Sequence, residues 1–237
     1  FHCISKRLQL LLLIVNDTLE HKGGGMDQAI AFLAKPGTAQ YIEWNPLTAT
    51  PIRLPSNAIF VIANSLTKLN KAATHDFNQR VVECRLGCKL LAKKLNQPWR
   101  DIDRFCTLQT QLNCTLEEMI KFADTLLTQS TYTRKELLNA FNIIENDFTE
   151  NLLSYDTQHL QEFKLRQRTL HVFQEAQRVE KFREIATNTN SIDKLAQLMN
   201  DSHNSLDTLY ECSHENLNTL VKIGHDHGVG VRLTGAG

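Results

Sequence analysis

The residues with the clearest chemical potential form the run Gly23-Gly24-Gly25-Met26-Asp27-Gln28. Consecutive glycines carry no side chain, so the backbone can turn sharply there and a ligand can approach it closely. The apolar run from Ala29 to Ala34 predicts the start of a buried helix. Asp27 would then lie where a turn becomes a helix, close to backbone N–H groups that favour negative charge. Such a carboxylate suits work on a hydroxylated or phosphorylated ligand, although a plain helix-capping role explains the same spacing.

A second candidate is the pair Asn70-Lys71, which is followed by Phe77. Lys71 offers a compact cation, and the amide of Asn70 can both donate and accept hydrogen bonds, a combination that suits a nucleotide. From the residues alone, the favoured interpretation of this pair is the start of a helix.

The overall charge limits which partners the chain can attract. Lysine and arginine total 26, aspartate and glutamate total 26, and the formal net charge is zero. No general electrostatic field would therefore draw nucleic acid or an anionic membrane, and any phosphate recognition has to be local. The apolar run from Leu8 to Val15 is too short to span a bilayer. We expect neither nucleic acid nor membrane as a partner.

The six cysteines include no CxxC pair, which favours reduced thiols and a cytoplasmic location over a disulfide framework. Cys84 and Cys88 lie one helical turn apart and could share a metal with a histidine. A core position is the favoured interpretation, because no second Cys/His pair has suitable spacing, and we assign no metal ligand. Four histidines near the end are interpreted as surface or loop residues, namely His203, His214, His225 and His227.

Apolar periodicity predicts mixed secondary structure. Strands are expected at Ala39 to Trp44, Pro51 to Leu54, Ala58 to Ala63 and Val229 to Leu233. The run from Ala58 to Ala63 is continuously apolar, which predicts burial on both faces and places a domain boundary at about residue 56. Helices are expected over Val81 to Leu95, after the capping boxes Thr115/Glu118 and Thr133/Glu136, around Phe163 to Val179, and after Ser191 and Ser213. The helix around Phe163 to Val179 carries both signs of charge, which favours a solvated face over a nucleic-acid surface.

The string GGGMDQ resembles the Asp-bearing motif of the galactokinase branch of the GHMP sugar kinases. Further family motifs follow in order: Asn64-Ser65, Asn70-Lys71-Ala72-Ala73-Thr74, Phe77-Asn78, Arg80-Val81, Glu83-Cys84-Arg85-Leu86, Tyr210-Glu211-Cys212-Ser213 and Arg232-Leu233-Thr234-Gly235-Ala236-Gly237. Taken together, they are most similar to the N-acetylgalactosamine kinase members.

The resemblance implies an α+β, GHMP kinase-like fold in two lobes. Residues 1–56 would be a remnant of the N-terminal domain, and residues 57–237 a helix-rich C-terminal domain truncated at its end. The family's opening motif, which grips the sugar, is absent from this sequence, and so is its glycine-serine loop around the ATP phosphates. A monomer is expected for the complete protein.

The implied activity is ATP-dependent, Mg²⁺-assisted phosphorylation of galactose or N-acetylgalactosamine at the C1 hydroxyl, and the sequence leaves the choice of sugar open. The resemblance assigns catalysis to Asp27, ATP binding to Asn70 and Lys71, and sugar contacts to Asp27, Gly25 and Phe77. Gly235, Ala236 and Gly237 would form the glycine loop. The alternatives are a catalytically inactive sugar or nucleotide sensor, a non-functional truncated product, and a helical interaction scaffold.

Overall fold

The computed structural model describes residues 26–44, 47–67, 76–189 and 191–234. Helices of eight or more residues are α1 (Met26–Leu33), α2 (Asp76–Lys94), α3 (Phe105–Leu112), α4 (Leu116–Leu126), α5 (Arg134–Phe141), α6 (Leu165–Asn188), α7 (Ile192–Thr208) and α8 (Glu215–Asp226). The strands are β1 (Thr38–Trp44), β2 (Leu47–Arg53), β3 (Tyr132–Thr133) and β4 (Glu162–Phe163). Short helical pieces lie at Trp99–Asp101, Glu145–Asp147, Phe148–Leu152 and Tyr155–Thr157. A helix-rich chain with small antiparallel sheets agrees with the expected α+β class.

The chain divides into two compact units, and the first draws on Phe1–Val61 and Lys181–Leu195. Its sheet is the antiparallel hairpin β1–β2, which pairs Thr38 with Arg53 at its open end. Both extended pieces expected from the sequence are thereby confirmed. Within the same unit, the guanidinium of Arg183 lies 4.8 Å from the ring centre of Tyr41, a cation–π contact.

The second unit comprises Ile62–Glu180 and Ala196–Gly237, and α2 runs through its core. Val82, Leu86 and Leu90 of α2 pack into one apolar cluster. Cys88, Leu91 and Ala92 pack into a second cluster, which confirms Cys88 as a core cysteine. Because α2 is covered on two sides, it also buries charged residues that the amphipathic pattern left outside its apolar stripe, Glu83 and Lys89. The predicted boundary at residue 56 stays a prediction.

Both capping boxes form as the sequence predicts. At α4, the Glu118 backbone N–H donates to Thr115 Oγ1 at 3.2 Å, and Glu118 Oε2 accepts from the Thr115 N–H at 2.8 Å. At α5, Thr133 and Glu136 make the same reciprocal pair at 3.3 and 2.7 Å. Each box satisfies two backbone donors that a helix start leaves without an intrahelical partner.

Several sequence expectations are wrong. Residues 58–63 do not form a buried strand, since they have no strand assignment and Ile62 is 93% exposed. A strand needs a neighbour to pair its backbone groups, and among the described residues no strand pairs with this run. Residues 229–233 also form no strand, and α1 is only partly buried, with Ala29 inside and Phe32 exposed.

The last helix starts one residue later than Ser213 suggested, because His214 is its N-cap. Within the described ranges, no helix combines the length and the apolar character that a membrane crossing requires.

Candidate functional site

The candidate catalytic residue Asp27 is the second residue of α1, which begins at Met26. The backbone at Asp27 is therefore helical, whereas its side chain and the glycine turn expected before it lie outside the described part. Phe77 lies in the first turn of α2 and is 41% exposed. The remaining candidates lie outside the described residues: Gly25, Asn70, Lys71, Gly235, Ala236 and Gly237. The functional roles of all these residues stay predictions.

A polar pocket of about 140 Å³ opens to solvent where α2 begins, shortly after Lys71 in the sequence. The residues that line it come from the starts of α2 and α6 and from the turn after α7: Asp76, Gln79, Arg80, Lys164, Arg168 and Glu211. Three of these side chains are cationic and two are carboxylates. Whether the pocket can bind an added ion depends on how far these charges are already paired with one another.

Arg168 is the most buried member of the pocket, with its side chain 3% exposed. Its Nε donates to Glu83 Oε2 at 2.7 Å, and its Nη2 donates to Glu211 Oε2 at 2.7 Å. Its Nη1 donates to the carbonyl of Leu209. Burial alone would lower the pKa of Arg168, but the carboxylates of Glu83 and Glu211 raise it above its ordinary value. The guanidinium is therefore charged, and each of its three nitrogens donates to an acceptor.

The two carboxylates bind further donors from the start of α6. Glu83 Oε1 accepts from the backbone N–H of Lys164 at 2.9 Å, and Glu211 Oε1 accepts from Lys164 Nζ at 2.6 Å. Burial would raise the pKa of Glu211, but the hydrogen bonds from Lys164 and Arg168 lower it below its ordinary value. Glu83, Glu211, Arg168 and Lys164 thus form a charge-balanced network with little free positive charge for an added anion.

Arg80 completes the network from α2. Its Nε donates to the carbonyl of Tyr210 at 2.9 Å, and its Nη2 donates to the carbonyl of Glu211. These carbonyls follow directly on α7, where a helix ends with negative partial charge and unpaired acceptors. Glu211 has a φ of 58°, in the left-handed region that side chains disfavour. Two arginines therefore hold a strained turn in the motif that begins at Tyr210, a role that the sequence did not reveal.

The buried His171 packs against this turn. His171 Nδ1 is 2.9 Å from Ser205 Oγ, and its ring stacks on Tyr210 with centroids 4.7 Å apart. Burial lowers the pKa of His171 to about 4, and burial also raises the pKa of Tyr210 to about 12. Both side chains are therefore neutral at neutral pH.

The interpretation of His203 as a surface residue is wrong, because it is 6% exposed. Its Nδ1 accepts a hydrogen bond from the backbone N–H of Leu233 at 3.3 Å. The signal that could have found it is its spacing, since it lies three residues before the buried Leu206 and thus on the same face of α7.

Comparison with known proteins adds a separate observation. No family model matches the chain. The chain is 39% identical over 240 residues to a galactokinase of Dictyostelium discoideum, an alignment that covers 91% of this chain and 48% of that protein. It is 31% identical to a galactokinase of Candida parapsilosis, covering 90% and 49%. It is 27% identical to a galactokinase of Saccharomyces cerevisiae, covering 100% and 53%.

The chain thus spans about half the length of the curated relatives it matches. The similarity extends over nine tenths of the chain or more in each of these cases, and the relatives come from a slime mould and two yeasts. The chain is accordingly similar to galactokinases over nearly its whole length.

Proposed function

We propose that this chain is part of an ATP-dependent sugar 1-kinase of the galactokinase type. The observation that carries the proposal is the 39% identity over 91% of the chain to the galactokinase of Dictyostelium discoideum. The names of the relatives favour galactose as the sugar, whereas N-acetylgalactosamine is supported by the motif resemblance and by the phenyl ring of Phe77. Both sugars present a C1 hydroxyl as the attacking nucleophile. The complete protein would be a two-lobed, cytoplasmic monomer.

Asp27 would act on the sugar hydroxyl. Phosphoryl transfer has a loose transition state, so the protein contributes mainly positioning and electrostatic stabilisation. A carboxylate near the C1 hydroxyl can orient it and accept its proton as the O–P bond forms. The start of α1 at Met26 supports this role, because backbone N–H groups at a helix N-terminus keep a carboxylate charged. Since the same effect makes it a weaker base, we expect Asp27 to orient and stabilise as much as to abstract the proton.

ATP would be bound by Asn70 and Lys71 and by the glycine loop of residues 235–237. Mg²⁺ would neutralise charge on the transferring phosphate, and no residue of this chain is proposed as its ligand. Phe77 would contact the sugar, and its partial exposure at the start of α2 is compatible with that contact. A phenyl ring here offers no hydroxyl to the ligand, which suits a larger 2-acetamido sugar.

The test is the Asp27→Asn variant of the complete gene product, assayed for ATP-dependent phosphorylation of galactose and of N-acetylgalactosamine. We expect kcat to fall by roughly 10²- to 10⁴-fold while ATP affinity is unchanged, because the amide cannot accept the proton. Asp193→Asn is the matched control, since Asp193 is an exposed acid in the first turn of α7. Turnover by Asp27→Asn equal to that of the control would remove Asp27 from the mechanism.

A second candidate function is a catalytically inactive sugar or nucleotide sensor. A sensor would bind ATP or sugar in equilibrium dialysis without turning either over, whereas a kinase would do both.

A further inference from the structure

Side chains of α7 hold backbone amides of residues 229–233, the segment that leads into the proposed glycine loop. The backbone N–H of Val231 donates to Asn200 Oδ1 at 2.8 Å. The backbone N–H of Leu233 donates to His203 Nδ1 at 3.3 Å. Asn200 and His203 lie one helical turn apart, and the two amides alternate along the segment as they would along a strand. Two side-chain acceptors on α7 therefore hold two alternate backbone amides of the segment.

The segment of residues 229–233 packs so closely against α7 and α8 that two of the contacts require glycine. A Cβ atom at Gly230 would lie 2.5 Å from both Cα and Cβ of Ala196, so only glycine fits between the segment and α7. A Cβ atom at Gly224 of α8 would lie 2.2 Å from Cγ2 of Val231. Two glycines thus let the segment pack directly against the backbones of two helices.

His203 can perform this task only as neutral imidazole, because the nitrogen that accepts from Leu233 must carry no proton. The groups that face it come from three elements. Burial lowers the pKa of His203, Asp207 on α7 raises it, the hydrogen bond with Asn218 of α8 raises it, and His225 of α8 and Arg232 of the segment lower it. Burial is the largest contribution and the net direction is downward, so the acceptor is present at neutral pH and is lost in acid.

We propose that Asn200 and neutral His203 are positioning residues that set the backbone at Thr234, where the glycine loop begins, and that protonation of His203 releases it. The proposal rests on the proposed function, in which the glycine loop approaches the ATP phosphates. A released Thr234 has to be ordered again when the nucleotide binds, so the cost appears as weaker ATP binding. We expect no direct effect on sugar binding or on the chemical step.

Amide hydrogen exchange of the complete gene product tests the docking, independently of any activity. His203→Ala should speed exchange at Leu233 by about tenfold or more while Val231 stays protected, and Asn200→Ala should do the reverse. Global destabilisation would speed both amides together, so the two variants separate a local effect from unfolding. Unchanged exchange at Leu233 in His203→Ala would overturn the docking.

Kinetics test the positioning role. We expect His203→Ala to raise the KM for ATP several-fold with kcat little changed. The native protein should show the same rise in KM as the pH falls, and His203→Gln, which keeps an acceptor but does not titrate, should remove that pH dependence. His227→Ala is the matched control, because His227 is an exposed histidine of the same region.

The docking of the segment on α7 and its effect on ATP binding can be refuted separately. An unchanged KM for ATP in His203→Ala, with faster exchange at Leu233, would refute the positioning role and leave the docking standing. Absence of sugar phosphorylation by the native protein would refute the proposed function and the positioning role with it, whereas the exchange experiment still decides whether the segment docks.

Discussion

The buried ion pair of Glu83 and Arg168 should be the most sensitive polar contact of the second unit. Their side chains are 0% and 3% exposed, and their charged atoms are 2.7 Å apart. Glu83→Gln keeps the volume but removes the charge, which leaves Arg168 with only the partly exposed Glu211 as a counter-ion. Removing one partner of a buried pair costs about 3–5 kcal/mol, because the other charge stays buried. That is a large part of the roughly 5–15 kcal/mol by which a domain is stable.

A double-mutant cycle measures the coupling free energy between Glu83 and Arg168 directly. Glu83→Gln and Arg168→Met should each lower the free energy of unfolding by about 3 kcal/mol or more. The double variant should be less destabilised than the sum of the two, because it leaves no unpaired buried charge. The assay is urea unfolding followed by circular dichroism at neutral pH, with equal urea dependence in all variants as the check for two-state behaviour.

The matched control is the exposed pair of Arg100 and Asp147, whose atoms are also 2.7 Å apart but whose side chains are 55% and 22% exposed. The corresponding variants Arg100→Met and Asp147→Asn should change stability little, since solvent screens an exposed pair. The reasoning from burial would be refuted if the losses of unfolding free energy in Glu83→Gln and Arg168→Met were additive, or were as small as those of the control variants.

Three further predictions concern single sites. Gly87→Ala should destabilise the fold by about 1–3 kcal/mol in urea melts, because its Cβ would lie 2.4 Å from Thr169 Oγ1; a neutral effect would mean that Thr169 can rotate away. Burial lowers the pKa of His171 to about 4, so the unfolded state takes up the proton first and stability should fall by about 3 kcal/mol as the pH drops from about 6.5 to 4. The His171→Asn variant should not show this loss of stability in acid. Identical dependence of the unfolding free energy on pH in the variant and the native protein would contradict the prediction. Thr115→Ala and Thr133→Ala should each lower the thermal midpoint through a cap worth about 1 kcal/mol, with Ser in place of either Thr restoring it.

Much of the local structure could be predicted because local rules decide it. The capping boxes at Thr115 and Thr133, the long helix α6 and the extended pieces of the β1–β2 hairpin each depend on residues within a few positions of one another. The helix expected from the run Ala29 to Ala34 is equally local, and α1 from Met26 to Leu33 contains most of that run. The candidate site was named from motifs, and the roles of its residues stay predictions.

The sequence by itself thus determined most of the helices, the capping boxes that begin α4 and α5, and a motif set that resembles that of the galactokinases. Only the tertiary structure decided which polar groups are buried and what they meet. Glu83 and Arg168 are 85 positions apart, and His203 meets the amide of Leu233 across 30 positions. Such pairs depend on which helix faces are covered, and periodicity within one element carries no information about that. Residues 58–63 show the converse, since an apolar run becomes a strand only when another strand pairs with its backbone.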